Sequence, residues 1–171
     1  LEGFYYRPRI DIDLLKEYNE GLICLSGCLK GELPEKMLKG DFEGAKKTAI
    51  MYSQIFNDRY YLEIQNHGIP EEEANIANMK KLSSELGLPL VCTNDAHYAR
   101  QNHWEAHDIH ICLGTGKERS DQNRLRYATP EFYFKSEDQM FKLFKEFPGA
   151  IENSRKIADS INLELPIGES H

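Results

Sequence analysis

Tyr60-Tyr61-Leu62-Glu63-Ile64-Gln65 is a short apolar and aromatic run that stops at Asn66-His67-Gly68, and its reading decides the fold class. A run this short, rich in aromatic or branched residues and closed by turn formers, suits a strand buried between helices. Similar runs lie on either side: Leu22-Ile23-Cys24-Leu25-Ser26, ended by Gly27, and Leu88-Pro89-Leu90-Val91-Cys92-Thr93. Between them the pattern is helical. Asp41 suits an N-cap, and Phe42, Ala45, Ala49, Tyr52, Ile55 and Phe56 recur at helical spacing until Asn57-Asp58. Pro70 opens the next helix, with Glu71, Glu72 and Glu73 at the positive end of its dipole. Ala74, Ala77, Leu82 and Leu86 form its expected apolar face, and Gly87 closes it. Strand, helix, strand, helix, strand predicts right-handed crossover units on a parallel sheet.

Further out, Asp11 caps a short early helix with Leu14, Leu15 and Tyr18. Ser136, with Asp138 and Gln139, caps a later one bearing Met140, Phe141, Leu143 and Phe144, and Pro148 opens the last, with Ile151, Ile157, Ala158 and Ile161. Gly116 to Pro130 reads as a polar loop. Three strands are too few to close a barrel, so the expected fold is α/β, part of a larger barrel. Residues 1–165 are taken as one domain portion and 166–171 as the start of a connection.

The chain of 171 residues is long enough for one real core and short of the length at which two domains are expected. A mean hydropathy of −0.59 and 29% charged residues argue against a membrane protein, and no apolar run approaches the roughly 20 residues of a spanning helix. The opening Leu1-Glu2-Gly3-Phe4-Tyr5-Tyr6-Arg7 lacks the layout of a secretory signal, and the start at Leu1 reads as a fragment of a longer chain. A net charge of −7 excludes binding nucleic acid by blanket electrostatics, so any phosphate must be met locally, by a metal or a few arginines. Cys24, Cys28, Cys92 and Cys112 sit in or beside apolar runs and do not form a C-x-x-C pair. Reduced thiols in a cytoplasm are expected, and a zinc ribbon is out.

In parallel α/β folds, ligands gather at the C-terminal ends of the strands. The first strand runs into Ser26-Gly27-Cys28-Leu29-Lys30-Gly31-Glu32, the second into Gln65-Asn66-His67-Gly68, and the third into Thr93-Asn94-Asp95-Ala96-His97-Tyr98. Residues two apart on an extended segment share a face, so Asp95 and His97 aim a carboxylate and an imidazole at one point. That pair suits zinc, manganese or iron. Taken alone, Cys28 reads as a small buried hydrophobe, Lys30 as solvated and His67 as a turn residue; what favours a site is three strand ends each offering a ligand. His103, His107 and His110 fall at helical spacing but lack the H-E-x-x-H form, so packing or helix-surface roles are expected. Ile109, Cys112 and Leu113 give that helix an apolar side. Lys117, Arg119, Arg124 and Arg126 form a basic-leaning loop, broken by Glu118 and Asp121, for which solvation is the expected state over phosphate contact. There is no G-x-S-x-G elbow, P-loop or G-x-G-x-x-G.

Gly21-Leu22-Ile23-Cys24-Leu25-Ser26-Gly27-Cys28-Leu29-Lys30-Gly31-Glu32, Tyr61-Leu62-Glu63-Ile64-Gln65-Asn66-His67-Gly68 and Thr93-Asn94-Asp95-Ala96-His97-Tyr98 resemble the alpha subunits of bacterial DNA polymerase III. The likeness is to the C-terminal part of their N-terminal polymerase-and-histidinol-phosphatase (PHP) domain. Glu105-Ala106-His107-Asp108, Gly114-Thr115-Gly116-Lys117 and Phe132-Tyr133-Phe134-Lys135-Ser136 are similar to the same subunits, so the resemblance runs along nearly the whole chain. It implies a distorted seven-stranded, TIM-like α/β barrel, truncated here at its N-terminus. It also implies a cluster of up to three metals at the strand ends, with Cys28, Asp95 and His97 among the ligands and Asp95 and His97 as the catalytic pair. Zinc is the metal implied first, with manganese or magnesium as alternatives.

By the same resemblance, the parent is a DNA-directed DNA polymerase of the bacterial cytoplasm with DNA and other replicase subunits as partners and no membrane. Its PHP domain can act as a 3′–5′ proofreading exonuclease. The family's opening H-x-H motif and the remaining ligands lie upstream, and the polymerase aspartates downstream. The fragment alone is therefore expected to be inactive, and its exposed sheet edges invite self-association. Two rivals stand beside this reading: a stand-alone phosphoesterase of the same superfamily, and a non-enzymatic module that stabilises the polymerase or docks a partner.

Overall fold

The computed structural model describes residues 3–164 and 167–168, and the chain divides into two compact units. One holds Leu1–Ile64 with Gly68–Leu90; the other holds Gln65–His67 with Val91–His171. In the first unit the chain begins with an antiparallel pair, β1 (Phe4–Tyr5) and β2 (Arg7–Pro8), which the hydrophobic pattern does not reveal. It continues through α1 (Ile12–Glu17), β3 (Cys24–Leu25), α2 (Glu32–Leu38), α3 (Phe42–Phe56), β4 (Tyr60–Ile64) and α4 (Pro70–Leu86). β5 (Leu90–Cys92) starts at the last residue of this unit. The second unit then adds α5 (Trp104–Thr115), α6 (Glu137–Leu143) and α7 (Pro148–Ser160).

β3 and β4 pair in parallel, with Cys24 opposite Tyr60 and Leu25 opposite Tyr61. The strand order β3-β4-β5 makes β4 the middle strand. All three lie where the apolar runs predict strands, but β3 and β5 are shorter than those runs. The mixed α/β class with a three-stranded sheet is thus observed among the described residues.

The core of the first unit follows from β4 and the helices over it. Leu62 and Ile64 are fully buried, as are Ala45, Ala49, Met79 and Leu82, while Leu33 and Phe56 are nearly so. Each large side chain among them stabilises the fold by about 1.5–3 kcal/mol relative to its exposed state. The buried alanines at i and i+4 keep one side of α3 small, and α3 packs against α2, α4 and β4. Asp41 caps α3 as expected, its carboxylate accepting from the Gly44 N–H at 2.8 Å.

α4 spans Pro70–Leu86 with Gly87 as its C-cap, as the sequence predicts, but its buried face meets the expected one only at Leu82. Ala74 and Ala77 are exposed; Glu72, Asn75, Met79 and Leu82 are buried. This stripe has the correct i, i+3, i+7, i+10 spacing, yet its first turn presents a carboxylate and an amide. A reading that follows hydrophobicity selects the neighbouring alanines instead.

In the second unit, Phe132–Phe134 runs beside Tyr98. The His97 N–H donates to Phe132 O at 2.8 Å, Phe134 N–H donates to Tyr98 O at 3.0 Å, and Tyr98 and Tyr133 form a parallel bridge. The Asn94 side chain adds a bond to Tyr133 O at 2.9 Å. α6 begins with a full capping box between Ser136 and Gln139. α7 starts at Pro148 and buries only Ala150. Of the expected connection at 166–171, only residues 167–168 are described, as a turn; the rest lies outside the described residues.

Candidate functional site

The end of β3 is shaped by backbone. Gly27 sits at φ +84°, a conformation that a Cβ would strain, and turns the chain directly after Ser26. Gly31 closes the turn, its N–H donating to Cys28 O at 2.7 Å, and a Cβ there would lie 2.4 Å from Ser26 O. Neither glycine has a substitute. The turn is then tied to β4: Glu63 N–H donates to Ser26 Oγ at 2.8 Å, and Gly27 N–H donates to the Glu63 carboxylate at 3.1 Å. Glu63 is buried, so this carboxylate serves as an internal acceptor for the loop. The outcome is an exposed Cys28, lifted out of the apolar environment that its sequence neighbours suggest.

The end of β5 is shaped by side chains. Asp95 and His97 converge as their spacing predicts, with Asp95 Oδ1 3.1 Å from His97 Nε2. The Tyr127 hydroxyl lies 3.1 Å from both ring nitrogens of His97. Around the imidazole stand Tyr127, His107 and Phe132, with ring centroids at 4.6, 5.9 and 5.9 Å. Burial pushes the Tyr127 phenol up, and the charge of Asp95 adds to it, so the hydroxyl keeps its proton at neutral pH. His107 is held below the usual histidine range by burial first, then by the neighbouring His97 and His110.

The other histidines separate. His67 is buried to 1% and stacked on Phe132 at 4.4 Å, and its carbonyl accepts from Thr129 Oγ1 at 2.6 Å. It is a core residue. His103 precedes α5 and His110 is exposed, so of the three only His107 joins the cluster. On α5, Asp108 and Cys112 are buried, whereas Ile109 and Leu113 are 45% and 77% exposed, so of the expected apolar side only Cys112 is covered.

Asp108 shares that covered side. Arg124 holds it through two bonds, Nη1 to Oδ1 at 2.5 Å and Nη2 to Oδ2 at 2.9 Å, and Arg119 Nε lies 3.5 Å from Oδ2. The Arg124 side chain is only 5% exposed. Two cations of the basic-leaning loop are thus directed at one carboxylate, rather than both being solvated or left for phosphate. The Arg124 hydrogen bonds hold the Asp108 carboxyl below its ordinary range.

Of the expected metal ligands, Asp95 and His97 are brought together within the second unit, and Cys28 belongs to the first. Among the described residues, no group of three or more His, Cys, Asp or Glu is arranged to hold a metal ion. Two cavities lie away from these residues. One, of about 430 Å³, is lined in the first unit by residues including Cys24, Glu32, Tyr52 and Tyr60. The other, of about 550 Å³, is lined in the second unit by residues including Cys92, Met140, Phe141 and Ile151. Neither includes Cys28, Asp95 or His97. Sequence reading does not foresee the partners of Glu63, Asp108, Arg124 and Tyr127, because those partners are distant in the chain.

A family model described as the PHP domain matches residues 1–67. The DNA polymerase III subunit alpha of Borreliella burgdorferi is 46% identical over 159 residues, which is 93% of this chain and 14% of that relative. The same subunit of Treponema pallidum is 46% identical over 97% of this chain and 14% of its own length. That of Campylobacter jejuni is 40% identical over 98% of this chain and 15% of its own. The chain spans about one-seventh of the length of these curated relatives. Along nearly its whole length the chain is similar to DNA polymerase III alpha subunits, and over residues 1–67 it matches the PHP domain.

Proposed function

We propose that this chain contributes part of a metal-dependent phosphoesterase centre to a bacterial replicative DNA polymerase, and that the centre serves 3′–5′ proofreading. The observation that carries the reading is the Asp95–His97 pair, whose donor atoms stand 3.1 Å apart at the end of β5. A carboxylate oxygen and an imidazole nitrogen at that separation match two ligands of one divalent cation, and the donor set fits zinc or manganese. The exposed Cys28 thiol is the third donor in this proposal, with zinc the favoured metal. When bound, such a cation supplies an activated water and neutralises charge on phosphate oxygens.

The chain's own residues do the rest. Asp95 holds one edge of the His97 ring, and Tyr127, His107 and Phe132 stand around it while the imidazole stays partly exposed. The Ser26–Glu63 tie holds the turn that presents Cys28. An acidic chain of net charge −7 can serve DNA in this way because a local cation, not a basic face, meets the phosphate.

In this reading residues 1–165 are the C-terminal portion of a seven-stranded PHP barrel and 166–171 begin the connection to the polymerase core. The segment by itself is expected to be inactive in this reading. The parent synthesises DNA in the cytoplasm alongside other replicase subunits. No described helix is long and apolar enough to cross a membrane. Asp95→Asn in the whole subunit is expected to abolish exonuclease activity and spare nucleotide incorporation. Equal exonuclease rates in mutant and wild type would overturn the catalytic reading in favour of a structural module.

A further inference from the structure

We propose that the β1–β2 hairpin is a contact for single-stranded DNA, with the Tyr6 ring stacking on an unpaired base and the Arg7 and Arg9 guanidiniums meeting the phosphates beside it. The inference rests on the proofreading role proposed for this chain and deepens it, by naming a surface that takes the unpaired strand.

The hairpin is tight. Tyr5 lies opposite Arg7 and Phe4 opposite Pro8, so Tyr6 alone makes the turn. The Arg9 N–H closes the base by donating to Gly3 O at 2.8 Å, and a Cβ on residue 3 would collide with Arg9 O. At the apex Tyr6 takes φ +60°, a conformation that glycine adopts freely and a tyrosine adopts under strain. Tyr6 is 84% exposed, and Phe4 on the same hairpin is 60% exposed. Strain kept at an exposed aromatic residue points to a use for its ring.

The charge is local. Residues 3–10 hold Arg7 and Arg9 and no acidic residue, in a chain of net charge −7. The Arg9 bond to Gly3 continues the ladder past β2, so these two exposed arginines, two residues apart, fall on one face. The next carboxylates are engaged elsewhere: Asp11 accepts from the Leu14 N–H at 2.9 Å, and Asp13 pairs with Lys16 at 3.2 Å. Other arginines have partners of their own. Arg59 donates to Asn19 O and Leu22 O, Arg124 holds Asp108, and Arg155 pairs with Asp159. Arg7 and Arg9 form no ion pair among the described residues. Exposed rings beside unpaired guanidiniums suit a single strand, whose bases stack on the rings while its phosphates meet the cations. The aromatic apex favours bases over an acidic protein surface, which would meet the arginines alone. Pro8 also lacks the N–H that a further strand laid on β2 would use.

The test is photo-cross-linking of the whole subunit that carries this segment to an oligothymidylate bearing a 5-iododeoxyuridine near its 3′ end. The cross-linked peptide is mapped by mass spectrometry, and melting temperature serves as the control for folding. The assay needs neither metal nor cleavage, so it reads the hairpin apart from exonuclease activity. The wild type is expected to cross-link within residues 3–10, and Tyr6→Ala to lose the cross-link at the apex. Arg7→Gln combined with Arg9→Gln keeps the rings, so its cross-linking reports binding alone. It should need roughly tenfold or more DNA for half-maximal cross-linking at ~0.1 M salt, and the slope of log affinity against log salt should flatten by about 1.4, at about 0.7 per phosphate. No cross-link within residues 3–10 of the folded wild type overturns the inference. So does a double variant that binds within about twofold of wild type. A double variant that melts early, beside a wild type with no such cross-link, overturns it in favour of an acidic protein surface against the hairpin. A hairpin cross-link in a subunit without exonuclease activity keeps the DNA contact and overturns the proofreading role only.

Discussion

The turn after β3 and the cluster after β5 reach the same kind of end by different means. At β3 the constraint is the backbone: a positive-φ glycine, a second glycine under a carbonyl, and two bonds to a buried strand residue. At β5 it is side chains: a carboxylate–imidazole contact, a phenol and a set of rings drawn from α5 and the loop at 116–130. The first depends on the integrity of the core, because β4 carries Glu63 between the buried Leu62 and Ile64. The second depends on contacts among partly exposed groups. Core damage should therefore disturb the Cys28 turn through stability, whereas single polar substitutions should disturb the His97 cluster with less loss of fold.

Four substitutions order that contrast. Leu62→Ala empties a fully buried site in the middle strand and is expected to cost about 3 kcal/mol in denaturant unfolding. A loss under about 1 kcal/mol would mean the strand is not the centre of the unit. Glu63→Ala leaves Gly27 N–H without its carboxylate and should cost about 2 kcal/mol, while raising the rate at which Cys28 reacts with a thiol reagent. Ser136→Ala removes one half of the capping box on α6 and should cost about 1 kcal/mol.

Asp108→Asn probes the side-chain-built end through pH. The native carboxyl lies below its unfolded value of about 3.9 because Arg124 stabilises the anion. Its contribution is complete above that value and is lost as pH falls through the native one. The variant should therefore be less stable than wild type at neutral pH, and the gap should close in acid below about pH 4. A gap that persists undiminished into strong acid would show that the pair is not what Asn disrupts.

Much of the fold was legible because period and punctuation coincide. The three apolar runs end at turn formers, Asp41 and Ser136 are followed by helical spacing, and Pro70 and Gly87 bracket a helix; all of these fall where the structure places them. Asp95 and His97 were legible because a two-residue spacing on extended chain needs no tertiary information. What stayed hidden depends on partners far along the chain. Glu72 and Asn75 are buried at α4, and Glu63 on β4, against their residue type. Arg124 finds Asp108 only once the loop folds onto α5, and Tyr127 carries no local signal at all. The expected apolar side of α5 held only at Cys112 for the same reason: the salt bridge at Asp108 shares the covered face, and Ile109 and Leu113 are left exposed.

The most direct measurement is metal content per polypeptide in the whole subunit, purified without chelator, for wild type and for Cys28→Ala and Asp95→Ala made separately. The account predicts metal in the wild type and loss of zinc or manganese in each variant. Full metal content in both variants, with each folded, would contradict it.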